Sequence, residues 1–485
     1  MNSNATNKPN ILWICSDQQR WDTLGCYGND LVRTPNLDRL AATGTRFDRA
    51  FSQSPVCTPS RACFLTGRYP RTCRTRQNGA DIPEDEVLVT RLLADAGYLC
   101  GLSGKLHLSA CNPSACETVE RRIDDGYAEF HWSHHSGPGW GTHNEYWAWL
   151  EERGARFESR PFPGSEHVRM GPPAELHQTT WCAEKACDFV EDRARDGRPW
   201  LFSVNMFDPH HAFDAPETHL QPYLDRLDEI PLPNYVEGEL TAKTQWQQFD
   251  HSGAYGHGAG YDYEVMTPRD HRLVRASYWA MCDLIDEQVG RMLETLEQLG
   301  QRENTIVVFT SDHGEMLGDH GIYLKGPYFY DPAIRVPLIV SCPGVVLAKE
   351  SDALVELTDL PQTILDAVGL PHHPGMQGQS LWPMLTGQVD PGVHRDDVYC
   401  EYYNAMPWHR DPTAQTTMVR SDRWKITLDH TTGHGELYDL LGDPDETYNR
   451  WDDPEYAQAK TDMLVRLCNR MAWTVDPLPV RQADW

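Results

Sequence analysis

The sequence predicts an α/β fold: a large, mostly parallel sheet with helices on both faces, followed by a smaller strand-rich C-terminal unit. Two observations carry this reading. Short apolar runs, typical of strands buried on both faces, alternate with longer segments of helical spacing as far as Val368. Polar clusters at Asp17, Asp208 and Asp312 each follow a predicted strand, where open α/β sheets place their ligands.

The elements follow in order. Ile11-Leu12-Trp13-Ile14-Cys15 reads as a buried parallel strand ending at Ser16-Asp17-Gln18, and Pro35 to Ala42 reads as a helix. Cys57 stands immediately before a predicted helix start, with Thr58 as N-cap, Pro59 at the first helical position and Gly67 as the stop. Arg61 lies one turn after Cys57, so both face the same space. A helix N-terminus with an added guanidinium suits a sulfate or phosphate oxygen. Glu86 to Ala96 reads as a helix leading through Gly97 to a strand, Tyr98 to Leu102. Glu175 to Arg195 is helical, Pro199 to Met206 a buried strand, and Arg269 to Leu299 a long helix. Thr305 to Thr310 is a strand ending at Ser311-Asp312-His313, then Val336 to Ser341 is a strand and Leu357 to Val368 a helix. The loop Gly375 to Gly387 precedes the second unit, so the division falls at 1–390 and 391–485. Strand-like runs Asp397 to Tyr403, Thr416 to Arg420, Trp424 to Leu428 and Glu436 to Leu440 precede a last helix, Ala457 to Met471.

Bulk properties narrow the function. The chain has 485 residues, 40% hydrophobic and 24% charged, enough for one large domain and a smaller one. A formal net charge of -28 argues against nucleic acid and anionic membranes as partners. An anionic substrate must therefore be drawn in by local positive charge. Met1 to Asn10 is polar, and the apolar run Ile11 to Cys15 is too short for a signal peptide. No stretch approaches the roughly 20 apolar residues that span a bilayer. The chain as given reads as soluble, unexported and cytoplasmic. The triplet Asn4-Ala5-Thr6 is a sequon of a kind that arises often by chance. The 14 cysteines are scattered without a Cys-x-x-Cys pair. Cys111 and Cys116 lack a matching pair, which excludes a zinc ribbon and favours reduced, buried thiols.

Oxygen donors at Asp17, Gln18 and Asp312 with the imidazole of His313, converging at strand ends, suit one hard divalent cation, Ca²⁺ or Mg²⁺, and the histidine leaves Mn²⁺ open. The segment Cys57-Thr58-Pro59-Ser60-Arg61, followed by Leu65-Thr66-Gly67-Arg68, resembles the signature of the type I sulfatases of the alkaline phosphatase superfamily. Asp312-His313-Gly314-Glu315-Met316-Leu317-Gly318-Asp319-His320-Gly321 is similar to the second metal-binding segment of that family.

The resemblance implies an alkaline phosphatase-like fold with an antiparallel C-terminal subdomain. It implies that a formylglycine-generating enzyme oxidises Cys57 to formylglycine (3-oxoalanine), whose hydrate is the nucleophile and a metal ligand beside Asp17, Gln18, Asp312 and His313. Asp17-Gln18 replaces the commoner Asp-Asp and resembles the branch of choline sulfatases, phosphonate monoester hydrolases and some arylsulfatases. Lys105 and His107 match a Lys-x-His element that contacts sulfate and the hydrate. His210 matches a histidine near the leaving-group oxygen, Lys325 a second sulfate-binding lysine, and Asn78 a substrate-contacting asparagine. The base role falls to Asp312 or His107. Arg61, Lys105 and Lys325 are expected to stabilise the nonbridging oxygens.

The expected activity is hydrolysis of aryl, alkyl or sugar sulfate monoesters, with a phosphonate monoester or phosphodiester hydrolase as the alternative. Two aromatic stretches, His131 to Trp149 and Gln245 to Tyr263, are divided between core packing and recognition of a sugar, aryl group or choline. Trp382 to Met384 and Trp473 to Trp485 leave a homo-oligomer open.

Overall fold

The computed structural model describes residues 8–137, 140 and 143–483. The Asn4 sequon and Trp485 lie outside them. Eleven strands precede the C-terminal unit: β1 (Asn10–Ser16), β2 (Thr45–Phe51), β3 (Leu99–Gly104), β4 (Tyr127–Trp132), β5 (Arg160–Pro161), β6 (Arg169–Met170), β7 (Trp200–Asn205), β8 (Thr305–Ser311), β9 (Arg335–Val336), β10 (Leu338–Ser341) and β11 (Lys349–Glu356). Nine of them form one sheet, ordered β11-β2-β10-β8-β1-β7-β3-β4 with β9 beside β2, while β5 and β6 make a separate ribbon. From β8 to β4 every pairing is parallel; β10 runs against both β2 and β8.

The apolar run of β1 packs on both faces. Ile11, Trp13 and Cys15 join one buried cluster with Ala62, Phe64 and Leu65 of the helix Cys57–Thr66. Leu12 and Ile14 join another with Trp181 of the helix Gln178–Asp196 and with Ile285 and Val289 of the helix Pro268–Gln298. Sheet faces alternate by residue, so a strand covered on both sides must be apolar throughout.

The second sheet is an antiparallel meander of β12 (Val398–Tyr403), β13 (Gln415–Arg420), β14 (Trp424–Asp429) and β15 (Gly435–Asp439). Tyr399, Val419, Ile426 and Leu437 pack with Met463 and Leu467 of the last helix, Ala457–Trp473. Among the described residues no helix is long and apolar enough to cross a membrane. All fourteen cysteines are free thiols.

Several local expectations are corrected. Cys57 is the first residue of its helix; Val56 is the N-cap, and Thr58 gives no capping side chain. The helix expected from Glu86 spans only Val89–Asp95. The strand expected over Val336 to Ser341 is split into β9 and β10, and it runs antiparallel to its neighbours. Strands β2, β4 and β11 were not expected from the sequence. β2 carries charged residues at Arg46, Asp48 and Arg49, which are only half-buried and mask its strand pattern.

Candidate active site

The parallel ladder continues past the strand ends and fixes the site backbone. The Asp17 N–H donates to the Asp208 carbonyl at 3.0 Å, Lys105 N–H to Asn205 O at 2.9 Å, and Asp312 N–H to Ser16 O at 3.3 Å. Residues after β1, β3, β7 and β8 are thereby gathered on one edge of the sheet. Gly104, at φ +97, ends β3 where a Cβ would meet Asn205 O at 1.9 Å, so only glycine fits. The cysteine helix is buried along all ten residues. Its Thr58 N–H, free in a first helical turn, donates to Asn78 Oδ1 at 3.0 Å, so Asn78 caps the helix from outside. Gly67, at φ +70, closes it by donating to Cys63 O at 2.8 Å.

Asp17, Cys57, Asp312 and His313 bring one ligand atom each to within 4.8 Å of one another, all buried. Cys57 Sγ stands 3.1 Å from His313 Nε2 and 3.1 Å from Lys325 Nζ. Lys325 Nζ also donates to Gln18 Oε1 at 2.6 Å. Lys105 Nζ pairs with Asp17 Oδ2. Arg61 donates through Nε to Asp312 Oδ2 at 2.9 Å and through Nη1 to Lys105 O at 2.7 Å, while Nη2 lies 3.5 Å from Asp17 Oδ2. Burial opposes ionisation of Asp17, yet Lys105, His210, Arg61 and Lys325 hold its carboxyl well below the usual range. Burial and Asp17 push the Cys57 thiol up, but Lys105, Lys325 and His313 win and lower it. Two carboxylates, an amide oxygen and an imidazole suit a hard divalent cation, so the donor set fits the metal the motifs imply.

The two histidines sit around this cluster. His107, at φ +56, is kept neutral by burial and by Lys105, and its ring packs 4.5 Å from that of His134. His210 Nδ1 lies 2.5 Å from His211 O, and burial, His211 and Lys325 lower its pKa well below 6.5. The two rings stack at 4.1 Å. Asp319 is engaged in ion pairs with Arg20 and Arg275.

Two carboxylates that the motifs did not single out build the surroundings. Glu315 accepts from Gln18 Nε2 and from the N–H groups of Leu317 and Leu324. It thereby turns the amide oxygen of Gln18 toward Lys325. A carboxylate at position 18 would instead face that of Glu315, which accounts for an amide here. Glu120 accepts the N–H groups of His107 and Leu108 at 2.8 Å, of Ser109 at 3.2 Å, and the Trp132 indole N–H at 2.9 Å. It anchors the turn that carries Lys105 and His107. Glu120 had no usable signal in the sequence, because a glutamate thirteen residues from its partner looks like any other, whereas Glu315 stands within the Asp312 to Gly321 segment but the motif gives it no role there.

The aromatic stretches divide. Tyr146 and Trp149 are core residues, and Trp132 closes β4. His134, His135 and Trp140 gather near the site, with the His135 ring 4.3 Å from Phe207 and Lys105 Nζ 5.5 Å from the same phenyl ring. In the second stretch Tyr255 stacks on Trp408 at 4.4 Å and 2°, and that indole stays 42% exposed. The Asn78 N–H donates to Ala405 O at 2.9 Å, tying the Trp408 loop to the cysteine helix.

Fold and site together define a metal-dependent hydrolase of esters of oxyanions. The family profile "Sulfatase" matches residues 9–370, and "N-sulphoglucosamine sulphohydrolase, C-terminal" matches residues 318–472. An uncharacterized sulfatase YidJ of Escherichia coli K12 is 30% identical over 99% of this chain and 90% of its own. An N-acetylglucosamine-6-O-sulfatase of Bacteroides thetaiotaomicron is 25% identical over 95% of this chain and 86% of its own. The solved phosphonate monoester hydrolase of Silicibacter pomeroyi superposes with a TM-score of 0.84 at 25% identity, over 97% of this chain and 96% of that one. The chain belongs to the sulfatase family of the alkaline phosphatase superfamily, and it is a sulfuric ester hydrolase.

Proposed function

We propose that the protein is a formylglycine-dependent sulfatase that hydrolyses sulfate monoesters of saccharides, with Asp17, Gln18, Asp312, His313 and the converted Cys57 holding one Ca²⁺. One observation carries this reading: the Cys57 thiol heads a buried helix inside a ring of three cations, Arg61, Lys105 and Lys325, against two carboxylates, Asp17 and Asp312. The local balance favours a sulfate in a chain whose overall charge would repel it. Cys57 is 1% exposed, so an enzyme that oxidises it must reach the segment before the fold closes.

When present, the aldehyde hydrate would supply one hydroxyl as nucleophile and a second whose deprotonation would release sulfate by C–O cleavage with the aldehyde re-formed, and the cation would polarise a sulfate oxygen. This chain's residues do the rest. Arg61, held by Asp312 and the Lys105 carbonyl, fixes the helix end under the nucleophile. Lys105 and Lys325 take the nonbridging oxygens. The base role is kept for Asp312 or His107; an Asp312 oxygen lies within 4.8 Å of Cys57 Sγ, a bound that Asp17 and His313 share. His107 contacts the hydrate, and His210 protonates the leaving oxygen. Asn78, at the head of the cysteine helix, also holds the loop that carries the half-exposed Trp408, and an aromatic face of this kind stacks on a sugar ring; a related chain is named for a sulfated amino sugar.

The second reading, a phosphonate monoester hydrolase, is favoured by Gln18 and by the structural likeness to such an enzyme. The deciding experiment compares initial rates on a sulfated sugar, an aryl sulfate, choline sulfate and an aryl phosphonate monoester, using protein co-expressed with a formylglycine-generating enzyme. Turnover of the sulfated sugar that disappears in Cys57→Ala supports the proposal. A preference for the phosphonate, or activity that survives Cys57→Ala, overturns it.

A further inference from the structure

His107, Cys111 and His134 meet outside the carboxylate cluster. Their ligand atoms lie within 4.8 Å of one another, and all three residues are buried. The parallel pairing of β3 with β4 makes the meeting: Gly104 is in register with Trp132, so His107 and His134 follow adjacent strand ends. Their rings stand 4.5 Å apart at 65°. The Nδ1 atom of each is buried and has no hydrogen-bond partner. Buried polar atoms are seldom left so, and two of them beside one thiol need a common explanation. The Cys111 thiol itself only donates to the nearby Ser109 carbonyl at 3.1 Å. The Glu120 carboxylate, clamped under His107, Leu108 and Ser109, adds negative charge behind the group.

We propose that His107, Cys111 and His134 form a second cation site, which takes a borderline-soft divalent ion such as Zn²⁺. One thiolate and two imidazoles make three protein ligands, a set that zinc accepts with a fourth position left to water. It differs in kind from the oxygen-rich cluster around Asp17 and Asp312, which suits a hard ion. On binding, the Cys111 S–H bond breaks, its proton passes to solvent, and the thiolate and both imidazole nitrogens bond to the ion. Because His107 belongs to both sites, an ion here withdraws that imidazole from the nucleophile. Zinc is thus an inhibitor, a consequence that rests on the sulfatase reading.

The site is tested with Co²⁺ as a spectroscopic stand-in for zinc, added to the Cys57→Ala protein already saturated with Ca²⁺. That background removes the thiol of the carboxylate cluster. One equivalent of Co²⁺ is expected to give thiolate-to-cobalt charge-transfer absorption and the intense visible bands of a low-coordinate ion. Cys111→Ser should abolish the charge transfer, His134→Ala should weaken binding at least about 10-fold, and Cys116→Ser should change nothing. Circular dichroism shows whether each variant is folded, and His134→Gln replaces any that is not. No charge-transfer band at one equivalent, or a band that survives Cys111→Ser, overturns the proposal. In matured enzyme, Cys111→Ser should keep basal turnover and relieve zinc inhibition. A cobalt signal without zinc inhibition leaves the site standing and refutes the role given to His107.

Discussion

His210 shows how a single side chain is tuned by its neighbours. The His211 carbonyl accepts from Nδ1–H, so in the neutral ring Nε2 is bare and is the atom that gains a transferable proton on acidification. Burial, His211 and Lys325 depress the imidazole well below 6.5, so the free protein holds it neutral at pH 7. A group with a lowered pKa gains its acid form only as the pH falls. We therefore expect kcat/KM on a sugar sulfate, whose leaving oxygen needs a proton, to rise continuously as the pH falls from neutral and to level off only below the depressed value. His210→Ala should erase that limb of the pH profile and lower the rate by roughly 10²- to 10⁴-fold. An aryl sulfate with a good leaving group should lose far less. An unchanged profile in the variant would remove His210 from the acid role.

At the scale of elements, the turn after β3 decides where Lys105 and His107 point. One carboxylate, Glu120, collects three successive backbone N–H groups and an indole N–H. Without it the turn has buried donors and no acceptor, and His107 has no reason to hold a positive φ. Glu120→Ala should lower kcat about 10²-fold, as displacements near 1 Å do, with the overall fold retained by circular dichroism. Steady-state kinetics on the preferred ester checks this. A variant with unimpaired kcat would show that the turn is held by other contacts.

At the scale of the whole molecule, the second sheet reaches the main domain through a buried network at Phe329 and Asp331, a few residues beyond Lys325 in the chain. Lys425 of β14 donates to Asp331 Oδ1 at 2.6 Å and to Phe329 O at 3.0 Å, and pairs with Glu446 Oε1 at 2.6 Å. Burial opposes it, but Lys425, Arg420 and Arg335 hold the Asp331 carboxyl far below the usual range. Its contribution is full above the ordinary carboxylate value of 3.8 and is lost only as the pH falls through the depressed one, so the link persists at neutral pH. Lys425→Met leaves two buried carboxylates facing each other. We expect a loss of about 3–5 kcal/mol and a lower Tm, together with reduced activity because the network anchors the segment that begins at Lys325. Thermal denaturation beside activity assays tests both; a variant with unchanged Tm would show the junction to be dispensable.

The sequence by itself determined the sheet class, the strand ends that carry Asp17, Asp208 and Asp312, and the one-turn spacing of Cys57 and Arg61. These are local facts of periodicity and motif, and the structure keeps them with shifts of a residue or two at element ends. It did not determine the start of the cysteine helix, where Asn78 replaces the expected Thr58 cap from a distant turn. Nor did it show β2, whose charged residues find partners only after folding, or the antiparallel run of β10. Glu120, the pairing of Glu315 with Gln18 and the meeting of Cys111 with His107 and His134 were likewise out of reach. A strand or helix announces itself because its residues interact with near neighbours in the chain. A buried carboxylate or a shared ligand set exists only once the ladder of β8, β1, β7, β3 and β4 has brought remote segments to one edge, and that register is decided by tertiary packing.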